Sequence, residues 1–178
     1  MYIGELELVF IRNCYKNRWK LTWGFNMIIK LENKHRDIAQ KILKVQIPSY
    51  RVEADIIGYS DIPPLKDTVE HIQKCQETFY GYIIEEELCG VISFKVNNGV
   101  VDIHRLIVHP NHFRKGIAQH LLDHILRSKD YVAMKVSTGS KNTPAVQLYY
   151  KNGFQKIEEI VVDESLSISC FEKQLNKI

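Results

Sequence analysis

Val108-His109-Pro110-Asn111-His112-Phe113-Arg114-Lys115-Gly116-Ile117-Ala118 is the stretch on which the fold turns. A β-branched strand stops at Pro110, and within a few residues a helix begins, read over Arg114–Ser128. Ile117, Leu121, Leu122, Ile125 and Leu126 form one apolar face of that helix, while Gln119, Asp123 and Arg127 point elsewhere. A helix start leaves backbone N–H groups without intrahelical partners and carries the positive end of the dipole. Gly116 lets an oxyanion approach with no Cβ in the way, and Arg114 and Lys115 add charge, so the turn suits a phosphate. Taken alone, it is weak evidence for a phosphate and reads first as a plain strand-turn-helix connection with two solvated cations.

Working outward toward the C-terminus, a strand is expected over Tyr131–Thr138. Asn142-Thr143-Pro144-Ala145-Val146-Gln147-Leu148-Tyr149-Tyr150-Lys151-Asn152-Gly153-Phe154 follows. Asn142 or Thr143 caps a helix over Pro144–Asn152, Pro144 suits its first position, and Gly153 suits a left-handed stop. Strands follow at Phe154–Val162 and near Ser167–Leu175. Toward the N-terminus three strands succeed one another, Phe79–Ile84, Cys89–Val96 and Val100–Val108, with turns at Glu85–Leu88 and Asn97-Asn98-Gly99; this is an antiparallel meander. Before it come a strand Met27–Leu31, a helix over about His35–Val45 and a long connection, residues 46–67, punctuated by Pro48, Gly58, Pro63 and Pro64; a short helix over Thr68–Cys75 completes the series. A run of strands followed by βα alternation predicts a mixed α/β (α+β) layer fold with helices on both faces of a twisted sheet. Residues 1–26 mix aromatic and basic residues without periodicity and read as a poorly ordered extension; residues 27–178 form the domain.

The 178 residues suit one core, and 45% apolar with 25% charged residues is ordinary globular composition. A net charge of +3, spread along the chain, gives no footprint for nucleic acid. Cys14, Cys75, Cys89 and Cys170 are far apart and read as reduced thiols. No apolar run is long enough to span a bilayer, and Glu5 and Glu7 precede the short run Leu8–Ile11, unlike a signal peptide. The expected location is cytoplasmic, with no membrane or nucleic-acid partner.

V-x-P followed by R-K-G-I-A, and N-x-x-A-x-x-L-Y-x-x-x-G-F with one strand between, together resemble the GNAT superfamily of acyl-CoA-dependent N-acetyltransferases. The resemblance covers the order of elements from Met27 onward. It implies a three-layer fold with a mostly antiparallel sheet of about six to seven strands, splayed between the fourth and fifth. It also implies acetyl-CoA as co-substrate. Phe113, Arg114, Lys115, Gly116, Ile117 and Ala118 would wrap the pyrophosphate, Leu106, Ile107 and Val108 would pair with pantetheine, and Asn142 would contact the cofactor from the other side. The Val108 N–H would face the thioester oxygen as the oxyanion forms. The family usually has Arg or Gln where this sequence has Phe113, and Ala118 stands for a commoner second glycine; the departure touches one side-chain contact, not a cradle of main-chain amides.

Amine attack on a thioester calls for a base on one side of the carbonyl and an acid on the other. The resemblance makes Tyr149 the acid. Strand alternation sets Asp102, His104, Leu106 and Val108 on one face, so His104 is the expected base, with an ordinary pKa of ~6.5, and Asp102 orients it or replaces it. His109 and His112 receive no role, and with no Cys or carboxylate at ligand spacing beside them no metal is expected. The acceptor is expected under residues 46–67, where Glu53, Asp55 and Asp61 attract a cation and Tyr50 and Tyr59 stack on it. A small-molecule amine, a protein N-terminus and a lysine all remain open as acceptors, and a homodimer is an analogy with the family. Two other readings stand beside catalysis: a non-catalytic acyl-CoA sensor, and a nucleotide-binding module using the same turn.

Overall fold

Residues 26–127 and 130–175 are described by the computed structural model; residues 1–25, nearly all of the expected extension, lie outside the described residues. In order come β1 (Met27–Leu31), α1 (Arg36–Ile57), a 3₁₀ turn (Pro63–Lys66), α2 (Val69–Lys74), β2 (Thr78–Ile84), β3 (Glu87–Asn97) and β4 (Val100–Val108). A 3₁₀ turn (Pro110–His112), α3 (Ile117–Leu126), β5 (Ala133–Gly139), α4 (Thr143–Lys151), β6 (Gln155–Val161) and β7 (Ser167–Gln174) complete the series. The strands form one sheet in the order β1-β2-β3-β4-β5-β7-β6. Every pairing is antiparallel except β4 with β5.

Apolar side chains on both faces of the sheet make two cores, which is why helices cover both sides. On one face Ile117, Leu121, Leu122 and Ile125 of α3 and Tyr149 of α4 pack on Ile92, Phe94, Ile103, Met134 and Phe171. On the other, Ala39, Ile42, Val45, Tyr50, Ala54 and Ile57 of α1 and Ile72 of α2 pack on Phe79, Val91 and Ile107. Gly90 carries no side chain where α3 comes closest: a Cβ there would lie 2.6 Å from Ile117 Cγ2. The close approach sets the start of α3 beside the end of β4, because Gly90 is paired with Val108.

The long connection expected over residues 46–67 is instead largely helix. α1 runs 22 residues, through Pro48, and stops at Gly58, whose left-handed conformation lets its N–H donate to the Ala54 carbonyl. An internal proline costs about 3 kcal/mol. The apolar face that continues beyond it, Tyr50, Ala54 and Ile57, is buried, and each large side chain so buried returns about 1.5–3 kcal/mol, so packing outweighs the local break. At α3 the correction runs the other way. The helix begins at Ile117, because Arg114 (φ 64°) and Gly116 (φ 77°) are both left-handed and cannot join it.

Candidate active site

β4 and β5 pair only from Val100 with Ala133 to Ile103 with Val136. Beyond that point the two strands separate, and five residues of β4 have lost their partner on one edge. The N–H of His109 donates to the Cys89 carbonyl on β3. Successive amides along a strand point to opposite edges, so those of Leu106 and Val108 face the gap. A row of main-chain groups is therefore presented where a third, non-protein strand would fit.

The gap opens at one end onto the turn before α3. Gly116 caps that helix with no side-chain bond to its first amides, and left-handed residues alternate at 114 and 116, an arrangement that turns successive N–H groups to one side. Arg114 and Lys115 are exposed there, as is Phe113. The donor set of main-chain amides plus exposed cations fits a diphosphate.

At the other end the gap deepens into a cavity of about 70 Å³. Its wall includes Tyr50 and Glu53 from α1, His104, Arg105 and Leu106 from β4, and Asn142 and Tyr149 from α4. Tyr149 is buried, its ring 5.6 Å from those of Phe154 and Phe171. Burial, and then the negative charge of Glu53, push the Tyr149 hydroxyl above the ordinary phenol range. The same two causes raise Tyr50. Burial likewise pushes the Glu53 carboxyl up, against hydrogen bonds from Asn142, Thr138 and the Gly139 amide. The Thr138 hydroxyl donates to Glu53 at 3.4 Å, and Asn142 Nδ2 donates to Thr138 at 3.2 Å. The Asn142 carbonyl oxygen accepts from the Ala145 amide, so this side chain caps α4 and also braces Glu53.

The alternation expected along β4 is broken by a bulge. Ser93 pairs with Arg105 but Phe94 pairs with Ile103, so His104 is the extra residue. As a result Ile103 and Val108 lie in the α3 core while Ile107 lies in the α1 core, and Asp102 does not share a face with Leu106 and Val108. The His104 ring has Nδ1 3.6 Å from Glu77 and Nε2 3.5 Å from Asp102. Asp102 itself is 62% exposed and is not part of the cavity wall. Asp61 also lies elsewhere, on the surface with Lys66 at 2.5 Å, and Asp55 is exposed.

Arg105 is the residue that the sequence reading missed. Its guanidinium bonds Glu77, Asp67 at 3.0 Å and the buried Gln46 at 3.0 Å, beneath the Phe79 ring. These partners come from α1, the residue just before β2 and the turn before α2, so the network ties β4 to the helical layer beside the cavity. Cysteine and carboxylate do come beside His112, contrary to expectation: Glu87, Cys89 and His112 place donor atoms within 4.8 Å of one another. Lys115 Nζ sits 3.2 Å from the other ring nitrogen of His112. Among the described residues no helix is long and apolar enough to cross a membrane.

The model of the family described as acetyltransferase (GNAT) matches residues 40–154, the span that holds the turn, the gap and the cavity. The chain belongs to that family. The chain is 32% identical over 129 residues to streptothricin acetyltransferase of Escherichia coli, across 70% of this chain and 73% of that protein. It is 44% identical over 146 residues to the UPF0157 protein YqkA of Bacillus subtilis; the match covers 82% of this chain but 43% of YqkA, so the chain spans less than half of that relative. Among solved structures, the PaiA N-acetyltransferase of Thermoplasma acidophilum in complex with coenzyme A aligns with a TM-score of 0.68 at 23% identity, covering 84% of this chain and 99% of that one. The ribosomal-protein-S18-alanine N-acetyltransferase of E. coli aligns at 0.67 and 12% identity, covering 85% and 94%. These likenesses establish the fold: a mixed three-layer sheet, open between β4 and β5.

Proposed function

We propose that this acetyltransferase moves the acetyl group of acetyl-CoA to a primary amine by direct attack through a tetrahedral intermediate. One observation carries the reading: the unpaired β4 edge, the amide-lined turn before α3 and the cavity holding Tyr149 lie along a single gap in the sheet. In this arrangement the turn binds the pyrophosphate and the edge amides of Leu106 and Val108 bind the pantetheine arm. The thioester then sits at the mouth of the cavity. The Val108 N–H stabilises the oxyanion, and Tyr149 protonates the departing sulfur; a phenol whose hydroxyl is held neutral by burial is suited to donate and not to ionise first. The acceptor enters from the α1 side. Resemblance to streptothricin acetyltransferase supports a small cationic amine ahead of a protein lysine.

A sensor of acyl-CoA would require the turn and the edge but no cluster of proton-bearing groups beyond them, and the cluster of Glu53, Tyr50 and Tyr149 favours catalysis. The test is free-thiol release from acetyl-CoA against a panel containing streptothricin, spermidine, an aminoglycoside and a peptide with a free N-terminus, with mass spectrometry for one added acetyl. Acetyl-CoA binding with no thiol released across the panel would return the sensor reading. Tighter binding of ATP than of coenzyme A would return the nucleotide module. Tyr149→Phe is expected to lower kcat by about 10²-fold or more with coenzyme A affinity unchanged. Wild-type turnover in that variant removes Tyr149 from the chemistry.

A further inference from the structure

A carboxylate largely withdrawn from water is ordinarily paired with a cation. Glu53 is not: among the described residues its oxygens accept only from neutral groups, Thr138, Asn142 and the Gly139 amide. No ion pair among those residues includes it, although it lines the cavity at which the β4 edge ends. The charged and titratable groups around it are Tyr50 on its own helix, Tyr149 on α4, and His104 and Arg105 on β4. Arg105 is committed to Glu77 and Asp67, and both His104 nitrogens face the carboxylates of Glu77 and Asp102. The cavity therefore holds a carboxyl with hydrogen-bond donors but no counter-charge.

We propose that Glu53 docks the acceptor as an ammonium ion and is the general base of the transfer, which makes the acceptor a cationic primary amine. The inference rests on the acetyl-transfer reading above. The ammonium gives one proton to solvent by way of Glu53, leaving a neutral amine against Tyr50 and Tyr149. The nitrogen lone pair forms the C–N bond as the carbonyl π pair moves to oxygen. Glu53 takes the second nitrogen proton, the oxyanion pair re-forms the carbonyl as the C–S bond breaks, and the sulfur leaves with the C–S pair and the Tyr149 proton. Glu53 returns its proton to the tyrosinate. Net, the ammonium nitrogen loses two protons, one released to solvent and one that reaches sulfur by way of Glu53 and Tyr149, with no other reactant. The raised Glu53 carboxyl is the stronger base for it, and Glu53, Tyr50 and Tyr149 line the same cavity.

The deciding variant is Glu53→Gln, assayed in the full chain for thiol release with streptothricin or spermidine, whichever the wild type acetylates, and for the slow hydrolysis of acetyl-CoA by water, which needs no acceptor. Amine transfer is expected to fall by about 10²-fold or more, hydrolysis to fall with it, and the acid limb of the pH–rate profile to vanish, with coenzyme A affinity unchanged. Glu53→Asp should keep the acid limb at a reduced rate. If Glu53→Gln retains wild-type rates and pH profile, or if coenzyme A affinity falls in parallel with the rate, the assignment is overturned while acetyl transfer stands. A wild-type protein that binds coenzyme A but releases thiol to neither amine nor water overturns acetyl transfer itself.

Discussion

At the scale of the residue, Glu53 sets function against stability. Its carboxyl is raised by burial in the folded chain above the ordinary carboxylate value that it regains on unfolding. Between those two values the folded state binds the extra proton, so stability falls as pH rises through the window, and the penalty is complete above the folded value. Glu53→Gln removes the charge and keeps the shape. It should therefore be more stable than wild type in urea unfolding at about pH 8, with the difference closing toward about pH 3, where both unfolded and folded carboxyls are protonated. A variant less stable than wild type at the higher pH would mean that the carboxylate bracing Thr138, Asn142 and Gly139 matters more than its desolvation. That Glu53 carries this burden was not readable from its own neighbours in sequence, where it is one acid among Asp55 and Asp61. Thr138, a partner 85 positions away, distinguishes it. Arg105 escaped notice for the same reason: a lone Arg in an apolar strand gains its meaning from Gln46, Asp67 and Glu77, none of them local.

At the scale of the element, α1 decides what reaches the cavity. Pro48 has no N–H for the Lys44 carbonyl, yet the helix continues past it and delivers Tyr50 and Glu53 to the gap. Pro48→Ala restores the donor. It is expected to raise the stability of the fold by up to about 3 kcal/mol, measured as the shift in urea midpoint at constant slope. A midpoint at or below wild type would show that the packing of Tyr50, Ala54 and Ile57 depends on the local geometry proline imposes. Helix and strand periodicities do announce most elements: β1 is found over the residues read for it, and both hairpin turns fall where Glu85 and Asn98 take positive φ. What periodicity cannot report is a conflict between local and tertiary terms. At Pro48 the local rule says stop, and burial of the downstream face overrules it. At His104 the two-residue period says continue, and the bulge against Ser93 and Phe94 overrules it, moving Asp102 off the face that leads to the thioester.

At the scale of the molecule, the gap between β4 and β5 is a place where one sheet has two half-edges, their pairing ending at Ile103 and Val136 among the described residues. The motifs around Gly116 and Tyr149 marked both sides of that gap in the sequence, because a glycine in a helix-opening turn and a capped, glycine-stopped helix are local signals. The strand order that brings them together, with β7 inserted between β5 and β6, is not local and had no such mark. A ligand bridging the gap stabilises the folded chain only, so coenzyme A at about 100 times its Kd should add about 2.7 kcal/mol to unfolding. Two substitutions at one position separate the fold from the cradle. Gly116 sits at φ 77°, with the nearest atoms to an added Cβ those of the His120 ring at 3.6 Å, so there is space for a side chain but strain in the backbone. Gly116→Ala should lower stability by about 1–2 kcal/mol without coenzyme A and retain most of the ligand-induced gain, since the amides remain. Gly116→Glu carries the same strain and adds a negative charge where the diphosphate would lie, so its gain should disappear. If both variants respond to coenzyme A as wild type does, the diphosphate is held somewhere other than at the start of α3.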